Sequence, residues 1–314
     1  MPRFPFLALA SSVVLAFAAC GGDDDPGGSS GGSSGSSGAS SGGSSGASSG
    51  SSGASSGSSG QDAAPEVRRS AGCGKSAAAS PATGDAKSVT VGGKKRTFLE
   101  FVPAGYDRDR AYPVVLTVHG IGATGKDMAE YIEMQTYVAG GAIVEFPDGE
   151  GGQWDLSGAK DLDFFDALVD DAAARLCVDP KRVFVLGFSL GAYMTNHAGC
   201  QRPARYRGIA AADGGFPDKG ACAGKTAALV YHRTEDDDER IANGRAARDK
   251  WVANNGCAST TKPYGDAKLG CVAYDGCPGA SPVVWCEDTA TSPYKHDLRE
   301  PYRVPIWKWM EALP

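Results

Sequence analysis

From Ser88 to Val102 apolar and polar residues alternate, with Val89-Thr90-Val91 and Thr97-Phe98-Leu99-Glu100-Phe101-Val102 flanking Gly92-Gly93. This pattern predicts a hairpin with the two glycines as its turn. After Tyr112-Pro113 the alternation stops. Val114-Val115-Leu116-Thr117-Val118 is continuous and mostly β-branched, as expected of a strand buried on both faces, and it ends in His119-Gly120. A second such run, Ala142 to Phe146, leads into Pro147-Asp148-Gly149. Between Leu162 and Leu176 the period lengthens: Leu162, Phe165, Leu168, Val169, Ala172 and Leu176 recur at helical spacing with Asp163, Asp166, Asp170 and Asp171 interleaved. An amphipathic helix is expected there. Asp179-Pro180 should break it, Arg182 to Leu186 reads as another buried strand, and good helix formers follow Gly191. Ala227 to Tyr231 reads as a further strand, and Trp307 and Trp309 fall on a last helix that should pack onto the sheet. Strands alternating with helices predict an α/β fold, a doubly wound, mostly parallel sheet with helices on both faces.

The first 69 residues have a different pattern. Arg3 precedes an apolar stretch, Phe6 to Ala19, that has the length of a signal-peptide core and is too short to span a bilayer, so residues 1–19 read as an export signal. The stretch closes on Phe17-Ala18-Ala19-Cys20, which resembles the lipobox of bacterial lipoproteins. That resemblance implies lipidation of Cys20 and a membrane partner through the anchor. Residues 20–69 are dominated by Gly and Ser and lack the apolar side chains that offset ordering entropy, as expected of a flexible linker. Its Gly/Ser core, as a random coil, would span roughly 35 to 40 Å. Residues 70–314 remain as one domain large enough for a sizeable core.

Charge and cysteine usage narrow the function classes. The net charge is −6, and nothing in its distribution suggests nucleic acid as a partner. Nine cysteines are present; with Cys20 set aside, Cys73, Cys177, Cys200, Cys222, Cys257, Cys271, Cys277 and Cys286 remain. An even set in an exported chain reads as disulfides, with 105 possible pairings and no spacing that suggests zinc. Neither a metal nor a cofactor is expected, and the chain is expected to act as a monomer.

Gly187-Phe188-Ser189-Leu190-Gly191 matches the nucleophile elbow of α/β-hydrolases, where glycines permit a strained strand-to-helix turn that lifts a serine hydroxyl above the sheet. The pentapeptide alone carries little weight, because the linker also satisfies it around Ser33, Ser44 and Ser55. Only Ser189 has a buried strand before it and a helix after it. A serine nucleophile needs an imidazole within hydrogen-bond reach. Of the four histidines, His119, His197 and His232 precede or coincide with the expected position of the acid. The order Ser, acid, His leaves His296 as the base. The acid belongs on the loop after Ala227 to Tyr231, and spacing does not choose among Glu235, Asp236, Asp237 and Asp238. Two backbone donors should hold the oxyanion, the amide after the nucleophile and one in the turn after the early strand, which map to Leu190 and Ile121.

From about Ser70 onward the chain resembles the feruloyl esterase and polyhydroxybutyrate depolymerase group of carbohydrate esterase family 1. The carriers are Ala71-Gly72-Cys73-Gly74-Lys75, Asp161-Leu162-Asp163-Phe164, Leu176-Cys177-Val178-Asp179, Gly187 to Gly191, Trp251 to Cys257 and Ser281-Pro282-Val283-Val284-Trp285. Asn254-Asn255-Gly256-Cys257 and Tyr274-Asp275-Gly276-Cys277 bring it nearer the feruloyl esterase branch. The family places its acid in His-Gly-x-x-Asp, and His232-Arg233-Thr234-Glu235-Asp236 matches with Arg233 in place of glycine, so the resemblance selects Asp236. The family histidine follows a Pro-Val-Val-Trp strand in a Gly-Gly-His stretch, here Tyr294-Lys295-His296. Trp154 resembles a tryptophan near the family active site, and it and His119, in the His-Gly block, are the expected substrate-binding residues. The implied substrate is a feruloyl or acetyl ester on plant xylan. A polyester of hydroxyalkanoate, or a binding role on a catalytically degenerate hydrolase fold, are the alternatives.

Overall fold

The computed structural model describes residues 69–314. The expected signal segment, Cys20 and all of the linker up to residue 68 lie outside the described residues. The alternating opening segment forms β1 (Asp85–Val91) and β2 (Lys94–Phe101), paired antiparallel. Gly92 and Gly93 between them have φ of 56° and 78°, which a two-residue type I′ turn requires at both positions. In chain order there follow β3 (Tyr112–Val118), α1 (Gly125–Ile132), α2 (Met134–Tyr137), β4 (Ile143–Pro147), α3 (Lys160–Arg175), β5 (Val178–Phe188) and α4 (Leu190–Gln201). Then come β6 (Gly208–Ala212), β7 (Ala227–Arg233), α5 (Ile241–Asn255), β8 (Thr261–Pro263), β9 (Cys271–Tyr274), β10 (Val283–Asp288) and α6 (Glu300–Ala312).

The strands form one sheet in the order β1-β2-β4-β3-β5-β6-β7-β10-β9-β8. Its centre, from β4 to β10, is parallel throughout. Antiparallel strands extend it at both edges. The period-2 geometry of each central strand divides the core between two faces. Val114, Leu116, Val183, Val185, Ile209 and Val230 pack with residues of α3, α4 and α5 on one face. Val115, Phe184, Leu186, Ala210 and Leu229 pack with α1, α2 and α6 on the other. Trp307 and Trp309 are buried in this second layer, as their place on a terminal helix implied.

One boundary differs from expectation. Asp179-Pro180 does not precede the strand; β5 begins at Val178 and runs through the proline. Val178 pairs with Tyr112, but Val183 pairs with Val114, so β5 carries extra residues across this stretch. The bulge takes the proline out of the ladder, and its missing N–H removes no sheet hydrogen bond.

All eight cysteines from Cys73 onward pair, as Cys73–Cys177, Cys200–Cys222, Cys257–Cys277 and Cys271–Cys286. Four disulfides belong to a protein that matures in an oxidising compartment. No helix among the described residues is long and apolar enough to cross a membrane. The Cys73–Cys177 bond closes 104 residues of chain just before β5, whereas Ser189 lies at the far end of that strand, about 30 Å away. Replacing both cysteines with alanine is expected to lower the unfolding free energy by about 3 to 5 kcal/mol in urea titrations, and to leave turnover at 25 °C within about twofold of the parent.

Candidate active site

Ser189 joins β5 to α4 at φ 58° and ψ −125°, a conformation that strains any residue with a β-carbon. Close packing imposes it. A Cβ on Gly187 would overlap Gly191 O and Thr195 Oγ1, and one on Gly191 would overlap Val118 O, so the elbow tolerates only glycine on either side. The Ser189 amide donates to Ala212 O at 3.0 Å, tying the turn to the end of β6. Leu190 is the first residue of α4, so its N–H has no acceptor within the helix.

Of the four acids after β7, Asp236 is buried and Glu235, Asp237 and Asp238 are exposed. Asp236 Oδ1 accepts from the backbone amides of Asp238 (3.0 Å) and Glu239 (2.8 Å), and Oδ2 accepts from His296 Nδ1 at 2.7 Å. That bond leaves His296 Nε2 as the free ring nitrogen. The imidazole lies against Phe188, the neighbour of Ser189, with ring centroids 4.6 Å apart. Among the described residues Ser189 Oγ makes no hydrogen bond, an arrangement that in free hydrolases tightens when substrate arrives.

The other three histidines are engaged elsewhere. His197 donates from Nδ1 to Asp218 at 3.0 Å and from Nε2 to Gly158 O at 3.0 Å, and Asp218 and Gly158 O outweigh burial to raise its pKa. His232 donates from Nε2 to Glu239 O at 2.9 Å, and burial lowers its pKa. His232, Asp236 and Asp213 bring ligating atoms within 4.8 Å of one another, but Asp236 spends both oxygens on hydrogen bonds and His232 spends Nε2. Burial holds the Asp213 carboxyl well above the usual range, favouring its neutral form.

Two expectations about substrate contact need correction. His119 is fully buried: Nδ1 donates to Gly120 O at 2.7 Å, and Nε2 accepts from the Gly149 amide at 2.9 Å. No ring nitrogen is left for a substrate. Trp154 is only 6% exposed; its Nε1 donates to His119 O at 2.8 Å and its ring packs between His119 and Phe165. Both residues therefore brace the turn 119–122 from beneath. That turn presses on the elbow, since a Cβ on Gly120 would lie 3.2 Å from Ser189 Cβ and 3.6 Å from Oγ. Ile121 is 65% exposed beside it, and its amide has no acceptor among the described residues.

The family signature described as Phospholipase/Carboxylesterase matches residues 158–267, the stretch holding α3, the elbow and Asp236. Feruloyl esterase D of Neurospora crassa is 29% identical over 239 residues, covering 69% of this chain and 79% of that protein. Feruloyl esterase C of Emericella nidulans is 27% identical over 193 residues, covering 58% and 71%. The chain has the fold of an α/β-hydrolase and is a carboxylic-ester hydrolase similar to proteins named as feruloyl esterases. Solved structures agree on the fold. An acetyl xylan esterase from Aspergillus awamori superposes with a TM-score of 0.58 at 16% identity, covering 72% of this chain and all of that one. A feruloyl esterase module from Clostridium thermocellum, complexed with sinapinate, gives 0.51 at 12% identity, covering 74% and 89%.

Several supports of the esterase site were not legible as site residues. Tyr131, on α1, donates its hydroxyl to Asp297 Oδ1 at 2.7 Å and accepts the Leu298 amide at 2.8 Å, and its ring meets Phe188. Asp288, at the end of β10, accepts from Tyr231 Oη (2.9 Å), the Ala290 amide (3.0 Å) and Arg299 Nη1 (2.8 Å). Arg233 lies buried beneath the histidine loop. Its departure from the His-Gly-x-x-Asp pattern was the one visible signal.

The reassignment of Trp154 can be tested with Trp154→Phe, which keeps a ring and removes the donor to His119 O. A brace predicts about 1 kcal/mol less unfolding free energy and a lower kcat with KM unchanged. A rise in KM with kcat unchanged would restore the substrate-contact role.

Proposed function

We propose that this esterase hydrolyses feruloyl or acetyl esters of plant xylan through an acyl-enzyme on Ser189, with His296 as general base and then general acid, Asp236 orienting it, and the Leu190 and Ile121 amides binding the oxyanion. Ser189 Oγ attacks the ester carbonyl carbon as its proton passes to His296 Nε2. The buried Asp236 carboxylate holds the Nδ1–H and stabilises the imidazolium. The oxyanion takes hydrogen bonds from the two amides, and collapse breaks the C–O bond as His296 returns the proton to the departing alcohol. Water repeats the sequence on the acyl-serine and releases the acid. No cofactor enters, and one copy of the chain carries every group.

The observation that carries this reading is the 2.7 Å hydrogen bond from His296 to the buried Asp236, with the imidazole packed on Phe188 beside the strained serine. The choice of ester is supported by kinship with proteins named as feruloyl esterases, together with the motifs that resemble carbohydrate esterase family 1. Purified protein is expected to release ferulate from methyl ferulate or acetate from acetylated xylan, and to be labelled by a fluorophosphonate. Ser189→Ala should abolish labelling and lower turnover by about a millionfold. Release of hydroxybutyrate oligomers alone would reassign the substrate. A folded protein that takes no label would make the fold a binding scaffold.

The same reading takes residues 1–19 as an export signal, Cys20 as the lipid-bearing residue and residues 20–69 as the tether that holds the catalytic domain clear of a membrane. Its support is the sequence Phe17-Ala18-Ala19-Cys20 and the pairing of every cysteine from Cys73 onward. Cys20→Ser is expected to move the full chain from the membrane pellet to the soluble fraction of a producing bacterium; an unchanged distribution would remove the anchor.

A further inference from the structure

The loop that carries His296 runs from the end of β10 to the start of α6, and its outer surface has little to hold it. Lys295 Nζ meets Asp237 at 3.0 Å, but both side chains are more than half exposed, and such pairs contribute little. The inner side is different. Arg233, the last residue of β7, is completely buried under this loop. Its Nη1 donates to Tyr294 O and its Nη2 to Ala290 O at 2.9 Å. One planar group therefore grips the loop at two carbonyls, that of Tyr294 only two residues before His296. Its own backbone amide donates to Asp213 Oδ1 at 2.8 Å, which fixes the base of the side chain at the sheet.

A buried guanidinium is costly unless it is hydrogen-bonded and counterbalanced. The countercharge is Asp288, whose Oδ2 lies 3.9 Å from Arg233 Nε. Asp288 is shared with Arg299, on the far side of His296 in the chain, through contacts of 2.8 and 3.1 Å. The segment 290–299 is thus anchored to the ends of β7 and β10 on both sides of the imidazole. Loops hold a functional group well only when rigid elements and satisfied hydrogen bonds support them.

We propose that Arg233 is a positioning residue for His296: its buried guanidinium sets the height of the loop so that the imidazole meets Asp236 and the Ser189 elbow together. The proposal rests on the reading of His296 as the base. Arg233 touches neither substrate nor His296; it acts through the carbonyls of Ala290 and Tyr294. Lysine does not substitute, because a single ammonium lacks the planar fork that reaches two carbonyls at once.

The test compares the full chain with Arg233→Lys, Arg233→Gly and His296→Ala, using 4-nitrophenyl acetate turnover, thermal unfolding and the downfield proton resonance of His296 Nδ1–H, assigned by its loss in His296→Ala. For folded Arg233→Gly, kcat is expected to fall about 100-fold with KM within about threefold, since small misplacements of a catalytic group cost rate before affinity. Arg233→Lys, the milder change and the deciding variant if the glycine form does not fold, should lose at least about tenfold in kcat, with the His296 resonance weakened or absent. If His296→Ala is inactive while the Arg233 variants stay within about threefold of the parent in kcat, or lose kcat with the resonance intact, the role of Arg233 is overturned. If His296→Ala turns over like the parent, the assignment of the base falls first, and this proposal with it.

Discussion

Ser189 is kept at a positive φ because α4 crosses the ends of β3 and β5 with no room for side chains at Gly187 and Gly191. A backbone held there costs on the order of 1 to 3 kcal/mol, and the surrounding contacts of the elbow must over-determine it. The amide of Ser189 bonds to the end of β6, the turn 119–122 presses on the serine from the end of β3, and Leu190 opens the helix. The same crowding that strains the serine lifts its hydroxyl out of the sheet and leaves the Leu190 amide unspent. The exposed turn of Ser189 and the unspent Leu190 amide are products of one close approach of backbone to backbone, and the proposed nucleophile and oxyanion donor rest on it.

The parallel centre of the sheet then brings distant residues to that point. Chain direction is shared by β4, β3, β5, β6, β7 and β10, so the loops leaving their carboxyl ends open on the same edge. Ser189 follows β5, Asp213 follows β6, Asp236 follows β7, and His296 lies beyond β10. Asp236 is immobilised by two amides of its own loop and is committed to His296 alone. The histidine loop has no such local closure. Its order comes from the buried charges beneath it, Arg233 and Asp288, from the partly exposed Arg299, and from the Tyr131 hydroxyl at its far end.

His119 and Trp154 show how a motif can be sound while its roles are misplaced. His119 lies in the His-Gly block and Trp154 resembles a family tryptophan near the active site, and that resemblance implied contact with a substrate. Their polar atoms are instead spent on Gly120 O, the Gly149 amide and His119 O. Burial also lowers the pKa of His119, keeping the imidazole neutral so that Nε2 can accept the Gly149 amide. A histidine and an indole are well suited to this work, since each ties backbone groups together while filling apolar space. The large apolar side chain left exposed at the turn is that of Ile121.

Periodicity and spacing did not reveal α1, α2, β6, α5, β8 or β9. They were enough to determine the opening hairpin with its turn at Gly92-Gly93, the buried central strands around 114–118, 142–146, 182–186 and 227–231, the helix after Leu162, the pairing of all eight domain cysteines in some combination, and Ser189 as the residue at the elbow. These are local properties: a period of two or of helical spacing, a glycine where φ must be positive, a pentapeptide between a strand and a helix. The disulfide partners, the choice of Asp236 among four neighbouring acids by any means other than resemblance, the bracing roles of His119 and Trp154, and the buried arginine under the histidine loop were decided only by tertiary structure. Each depends on burial and on which strand ends meet in space. Asp236 is set apart from Glu235, Asp237 and Asp238 by being inside, and Arg233, which stands where the resembling motif has glycine, meets two carbonyls some sixty residues further along the chain.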